Sequence, residues 1–285
     1  MQLSQRIFEV IIDGREISGL QMKFEISKLS LGTLQQGFVS IFNLSDATDT
    51  FIKERGQRIQ IVAGYEGLSG LIFDGDIRSI LRTRENLDRV TTIRIGGNVT
   101  RLTRARFVKS YKGNVSIKQI IIDALPTFVG VSFNNTEILP DIQKSDFAYA
   151  DRTLDLLTKL LIPNGVSWYE DLGIISFFKI DETTPVENAF VISPTSGLIG
   201  VPGLTQIPLD PSKKPGVKFI SLLNPFLTNQ SIVKLETSVK FLSGGGRDQN
   251  LRAGETSGFY KLTSVKHQGE TRGNSFYTIC EGLAV

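Results

Sequence analysis

Alternation of apolar and polar positions dominates this chain. In LQMKFEIS, Leu20, Met22, Phe24 and Ile26 fall on one face, and Gln21, Lys23, Glu25 and Ser27 on the other. A period of two belongs to a strand with one wet face. Asp13-Gly14 supplies a turn ahead of it, because glycine takes positive φ without steric cost, so residues 6 to 28 are predicted as a hairpin. Four strand-like segments follow: VSIFNL (Val39 to Leu44), QRIQIVAGY (Gln57 to Tyr65), LIFDGDIRSI (Leu71 to Ile80) and VTTIRIGG (Val90 to Gly97). Between the first two, Ser45 to Gly56 reads as a short helix, capped by Ser45 or Asp46 and stopped by Gly56. Together these predict a β domain over residues 1–105.

Residues 106–190 change period. Ser116 and Gln119 fit a capping box ahead of the apolar run Ile120, Ile121, Ile122, Ala124, Leu125, which Pro126 stops. A second helix is predicted from Asp151 as N-cap through Leu154, Leu157, Leu160 and Leu161, ended by Pro163-Asn164-Gly165. A hairpin over residues 166 to 178, turning at Leu172-Gly173, completes a small α+β domain. Residues 191–285 open with a connection holding Pro194, Pro202, Pro208, Pro211 and Pro215, punctuation that argues against a continuing sheet. A second β segment set then runs FISLLNP (Phe219 to Pro225), SIVKLET (Ser231 to Thr237), GFYKLTSVKH (Gly258 to His267) and SFYTICEG (Ser275 to Gly282). A mobile loop is expected from Ser243 to Gly258.

The two sets match in order and pattern. Asn43 and Asn224 close their first strands, Gly64 and Tyr65 end the second strand of the first set, and the third and fourth strands stand at nearly equal spacings. Internal self-similarity is weighed before any single motif. The predicted fold is therefore mainly β with a smaller α+β part: two β-barrel or sandwich modules flanking a middle α+β domain. A duplicated strand-rich module suits a building block of a ring or tube better than a one-pocket enzyme.

Composition changes this picture little. The 285 residues are 40% hydrophobic and 21% charged, and the net charge of +3 is too balanced for bulk attraction to nucleic acid or a membrane surface. The start lacks the pattern of a secretory signal, and no apolar run approaches the ~20 residues of a membrane helix. Cys280 is the sole cysteine and His267 the sole histidine, so a four-ligand His/Cys zinc site cannot form within one chain. No cofactor or catalytic residue is assigned. A Ser-His-Asp triad on His267 lacks a GxSxG elbow, and His267 reads as a structural residue at a strand end. Gly244-Gly245-Gly246-Arg247 lacks the GK[ST] of a phosphate loop. The carboxylate pairs Asp74/Asp76 and Glu170/Asp171 read as solvated turn or strand positions. One charge cluster stands out: Arg101, Arg104, Arg106, Lys109, Lys112 and Lys118, with no acidic residue among them. It is a candidate interface or lumen stripe, set against a solvated connector.

The run GVKFISLLNP ending at Pro225, with SVKHQGETRGNSFYT (Ser264 to Thr278), resembles the baseplate hub proteins of tailed bacteriophages. That family has a strand ending Leu-Leu-Asn-Pro and a closing motif His-x-Gly-Asp-Thr-Arg-Gly-Asn-x-Trp-Tyr-Thr. The match falls on His267, Gly269, Thr271, Arg272, Gly273, Asn274, Tyr277 and Thr278, with Glu270 and Phe276 as departures. VSIFNLS, GQRIQIVAGYEG, IFDGDI, ISPTSGLIGVP and DRTLDLLTKLL are similar to the same family, so the resemblance covers nearly the whole chain. It implies two tube-like modules per chain and a homotrimer whose six modules adapt a six-fold tail tube to a three-fold spike. It also implies partners: the tail tube protein, the central spike protein and other baseplate proteins, with the tape-measure protein and DNA passing through the channel. The implied location is the virion tail, assembled in the host cytoplasm. The alternative is a cell-wall-degrading hydrolase or peptidase of the tail tip. In the closing motif, Gly269 and Gly273 are expected as turn residues anchored by Glu270 and Arg272, with Phe276 and Tyr277 on opposite sides of the last strand.

Overall fold

A computed structural model of the protein describes residues 5–30, 32–52, 56–180, 186, 188–206, 215–237, 240–242 and 253–285. The first part contains β1 (Arg6–Ile12), β2 (Arg15–Ile17), β3 (Met22–Leu29), β4 (Gln36–Phe42), α1 (Asp46–Phe51), β5 (Arg58–Tyr65), β6 (Leu68–Glu85) and β7 (Asp88–Gly96). The middle holds α2 (Val99–Arg104), β8 (Arg106–Ser110), β9 (Asn114–Ser116), α3 (Ile117–Ala124), β10 (Ser132–Asn134), β11 (Gln143–Ser145), β12 (Ala148–Arg152), α4 (Thr153–Leu161), β13 (Val166–Asp171) and β14 (Ile174–Lys179). The last part has β15 (Phe190–Ile192), β16 (Leu198–Gln206), β17 (Gly216–Leu222), β18 (Ile232–Leu235), β19 (Lys240–Leu242), β20 (Ala253–Glu255), β21 (Gly258–Glu270) and β22 (Phe276–Ala284).

The fold is mainly β, and the duplication is visible in its topology. The first module has strand order β3-β4-β7-β6-β5-β1, and the second has β16-β17-β22-β21-β18-β15. Each position in one order is filled by the corresponding strand in the other, although β1 runs antiparallel to β5 and β15 parallel to β18. Both modules carry a β-bulge at the same place, between Ile77 and Ser79 on β6 and between Leu262 and Ser264 on β21. Anchored on the bulges, the cores superimpose: Ile77 on Leu262, Ile59 on Val233 and Ile61 on Leu235, all buried. The same alignment sets Asn43 level with Leu223, one residue before Asn224. The two asparagines also differ in use. Asn43 takes φ +54 and bonds to Asp88 and the Arg89 amide, whereas Asn224 accepts from the amide of Phe226.

The modules do not stand apart. β21 pairs with β3, so both lie in one 13-stranded sheet. Three cores stabilise the chain: one under each module and one in the middle part, where Leu102 and Ala105 pack with α3, α4 and Trp168.

Several local expectations need correction. Asp13-Gly14 turns as predicted, at φ +46 and +82, but the hairpin it closes is β1 with the three-residue β2. β3 leaves to pair with β4 and β21, because its apolar face completes the sheet between the modules. α1 is capped by Ser45 and ends at Ile52, before Gly56. Ser116 caps α3 through the Gln119 amide, yet the Gln119 side chain turns to Asp123 instead of closing the box. Asp151 lies in β12, and Arg152 holds the N-cap position of α4. The proline-rich connection contains strand β16, with Pro202 inside a bulge on the sheet's last strand, where a missing N–H is tolerated. Pro208 and Pro211 lie outside the described residues, as do 243–252, which hold most of the expected mobile loop.

Candidate functional site at the module junction

The junction between β21 and β3 is the most elaborated site in the chain. Seven residue pairs run from Ser264 opposite Leu29 to Glu270 opposite Lys23. The carbonyl of Thr263, pushed out at the bulge, accepts from both the amide and the hydroxyl of Ser30, at 3.1 and 2.9 Å.

The closing motif forms the far end of this junction. Gly269 is not a turn residue: it lies within β21, opposite both Phe24 and Phe276. A Cβ there would stand 2.6 Å from the Phe276 ring and 3.0 Å from Phe24. The position is glycine because two rings close over it. Those rings belong to an aromatic cluster in which Phe8 stacks on Phe24, and Phe276 meets Phe24 and Tyr65 edge-on. Gly273 does sit in the turn, at φ +150, with its Cβ site filled by the Glu270 carboxylate.

Arg272 was expected to anchor this turn, but it makes no hydrogen bond or ion pair among the described residues. Arg6 of the first module does so instead. Its guanidinium donates to the carbonyl of Gly273 at 2.6 Å and of Glu270 at 3.3 Å, and lies 5.2 Å from the Phe276 ring centre. Thr271 adds three bonds to the first module. Its amide donates to the Met22 carbonyl, and its hydroxyl accepts from the Met22 amide and donates to the Leu20 carbonyl. Glu270 reaches Lys23 at 3.8 Å. Tyr65 donates its hydroxyl proton to the Phe276 carbonyl at 3.0 Å in a buried position. Gly64 precedes it at φ +149, where a Cβ would collide with the backbone of Leu68 and Ser69. Phe276 points into the core, and Tyr277 to the wet face, where it accepts from Gln268.

The Leu-Leu-Asn-Pro segment is the second clasp. Leu223 is fully buried in the first module's core, although it belongs to the second module's chain segment. Pro225 and Phe226 rest against Gly70 of β6. The Asn224 amide donates to the Thr278 hydroxyl. The Thr278 hydroxyl also lies 3.0 Å from Nδ1 of His267. His267 is therefore interior to β21 and fully buried, not at a strand end. Burial holds its pKa well below 6.5, the Lys28 charge adds to this, and the Leu227 carbonyl opposes it. The ring stays neutral at physiological pH and has no route to bulk water as a general base. Cys280 is likewise buried, and burial pushes its thiol pKa up.

A third clasp ties the middle part to both modules. Lys28 follows Met22, Phe24 and Ile26 on the apolar parity of β3 and is 1% exposed. Its ammonium meets Asp171 at 2.7 Å, and Asp171 also accepts from Gln35 and Thr228. Glu170 is no solvated turn: it is 1% exposed. Its Oε1 accepts from Asn98 at 3.1 Å and the Gly173 amide at 2.9 Å, and Oε2 has no partner among the described residues and packs on Gly97. Burial raises its pKa to about 7 despite those two donors. Asp74 and Asp76 are also buried. Arg58 binds Asp74 through two nitrogens, and Asp76 accepts from the Thr100 amide.

The basic stripe is spread over α2, β8 and the residues that follow β8. Arg101 lies on α2 and reaches the Gly130 carbonyl, and Arg106 opens strand β8 and donates to the carbonyls of Thr103 and Ala105. Lys109 pairs with Asp123 at 2.6 Å over the Tyr111 ring. Arg104 and Lys112 are exposed.

No family model matches the sequence, and no curated protein does. Solved structures do. A tail protein from Neisseria meningitidis has a TM-score of 0.68 at 10% identity, covering 98% of this chain and 96% of that one. The 43 kDa tail protein of prophage MuSo2 from Shewanella oneidensis has a TM-score of 0.65 at 9% identity, covering 98% of each. An Escherichia coli component of the type VI secretion system, structurally similar to the T4 bacteriophage tail proteins gp27 and gp5, has a TM-score of 0.65 at 14% identity, covering 97% of this chain and 76% of that one. The mainly β fold read from the sequence is thus the observed one: this chain has the fold of a Neisseria tail protein, a prophage tail protein and a type VI secretion-system component.

Proposed function

We propose that the protein is the structural hub of a tail baseplate, a homotrimeric ring surrounding a channel. One observation carries this reading: two modules of identical strand order lie side by side in one continuous sheet. Three such chains supply six quasi-equivalent modules, which adapts a six-fold tube to a three-fold spike. The clasps fit this role, since they fix the angle between modules, and Arg6, Thr271 and Leu223 serve that end instead of a substrate. The partners in this reading are the tail tube protein, the spike and other baseplate proteins. Exposed Arg104 and Lys112 suit a contact with one of them better than a path for DNA.

The wet face of the sheet would line the channel. Three of its lysines are paired across strands: Lys266 with Glu25 at 2.8 Å, Lys218 with Glu281 at 2.9 Å, and Lys23 with Glu270 at 3.8 Å. Lysines already matched by carboxylates do not hold phosphates, each of which would add salt-sensitive affinity and slow a sliding duplex. Light scattering on the purified chain and electron microscopy of assembled tails test the proposal. Three copies per ring are expected, and six or twelve would overturn it.

A further inference from the structure

The wet face of the first module holds a hollow of about 680 Å³ beside its β-bulge, with Arg78, Ser79, Arg94, Phe38, Glu25 and Gln36 in its lining. Arg78 is the extra residue of the bulge, and Arg94 stands opposite both Ser79 and Phe38. Both arginines are exposed, and neither makes a hydrogen bond or ion pair among the described residues. Phe38 beside them is 37% exposed. Glu25 is the one carboxylate of the lining, and it is already bound to Lys266 at 2.8 Å. The hollow therefore carries two guanidinium charges with no counter-charge of their own.

The second module shows the same place in the sheet closed. By the shared bulge, Thr263 corresponds to Arg78, Glu281 to Arg94 and Lys218 to Phe38. Lys218 and Glu281 face each other across β17 and β22 and pair at 2.9 Å. A position satisfied by a cross-strand ion pair in one module is thus left open in the other, next to an exposed aromatic ring.

We infer that this hollow binds an acidic, partly apolar segment of another protein lying in the channel. The inference rests on the channel reading above and assigns a site within it. Guanidinium forks match carboxylates with two parallel hydrogen bonds, and the Phe38 ring supplies apolar contact beside them. A duplex offers phosphates but keeps its base faces stacked inside, so it would leave Phe38 unused. Left bare, the two arginines would also hold the phosphates that the paired lysines do not. Because the second module lacks the site, a three-chain ring carries three of them, on alternate modules. To this occupant the channel is three-fold although its modules number six.

A photo-crosslinking benzophenone amino acid, placed at Phe38 and separately at its counterpart Lys218, tests the site in isolated tails and in DNA-filled particles. Irradiation should link the Phe38 position to another tail protein, through a peptide that mass spectrometry shows to be net negative. The Lys218 position should link far less. Arg78→Gln with Arg94→Gln should lower the Phe38 adduct roughly tenfold or more, since a hydrogen bond to a charged group is worth at least about that factor. Both arginines are exposed and unpartnered among the described residues, so this change leaves the cores intact, and electron microscopy counts the copies in the ring. A nucleic-acid adduct, equal labelling at the two positions, a neutral or basic peptide, or an adduct indifferent to the arginines would each overturn the site. Rings of three copies with no adduct would overturn it as well and leave the ring reading standing. Six or twelve copies would overturn the ring reading itself.

Discussion

Glu170→Gln should remove a pH dependence of stability that the wild-type chain carries. The carboxyl is buried against Gly97, with Asn98 and the Gly173 amide donating to one oxygen and no donor among the described residues at the other. The charged groups around it are Asp171, which raises its pKa, and Lys28, which lowers it, and both effects are smaller than burial. The folded-state pKa is about 7, against an ordinary 4.5. The folded protein therefore keeps a proton over this window that the unfolded chain has lost. Stability is full below about pH 4.5 and falls as pH rises through 7. The difference corresponds to roughly 3 kcal/mol, or on the order of 10 °C in melting temperature for a chain of this size. Glutamine keeps the carbonyl that accepts from Asn98 and Gly173 and carries no titrating proton. Urea unfolding of both proteins between pH 4.5 and 8.5 at fixed ionic strength isolates the effect, because all other carboxylates are common to both. The variant should be similar to wild type at pH 4.5 and the more stable by about 3 kcal/mol at pH 8.5. A free-energy difference that does not change with pH would refute the reasoning.

Arg6→Ala removes two charge-assisted bonds to the closing turn and should cost roughly 1–2 kcal/mol, read from the urea midpoint; an unchanged midpoint would show that Thr271 holds the turn alone. Gly269→Val forces a β-branched side chain between Phe24 and Phe276 and should cost about 1–3 kcal/mol or more, with loss of trimers by light scattering; wild-type stability would disprove the ring-closure account of this glycine. His267→Leu is close in volume and removes a buried polar ring, so stability should stay within about 1.5 kcal/mol of wild type and tails should infect normally; normal trimers with abolished infectivity would mean that His267 has a chemical role.

The fold was legible where one rule governs a segment. Alternation gave the strands, and the paired order of segments gave the duplication before any coordinates. Resemblance supplied the tail-protein architecture. What alternation cannot show is partner choice. β3 carries the pattern of a hairpin strand, yet it is spent on a junction with β21, more than 200 residues further along the chain. Pro202 argued against a strand, but a terminal strand tolerates proline because no strand among the described residues pairs with its outer edge. The closing motif was visible, but its roles were assigned by local chemistry: Arg272 is nearest in sequence, and Arg6 is nearest in space. One missed signal was available. Lys28 continues the apolar parity of Met22, Phe24 and Ile26, and a charge on that parity must be buried with a partner, here Asp171. Glu170 gave no such sign, because a hairpin end is ordinarily wet.

The two kinds of junction, within a chain and between chains of the ring, differ where their duties differ. Inside the chain, the β21 edge places His267 and Gly269 toward the core, and the joint is closed by stacked rings and a fully buried Leu223. At the equivalent positions of β6 stand Arg82 and Arg84. Arg82 is already bound to Asp49 and to the carbonyls of Asp49 and Ile52, and both arginines are exposed. A joint formed once, during folding, gains from apolar burial and never meets solvent again. An edge left in water cannot be apolar throughout, since it would pair indiscriminately, and exposed Leu81 stands there beside Arg82 and Arg84. Arginines on β6 and the proline bulge on β16 guard the two edges while leaving their backbone groups free. In the proposed ring, the duplicated modules therefore diverge along the strands that face each other. One pair has become a permanent core, and the other has stayed soluble until assembly.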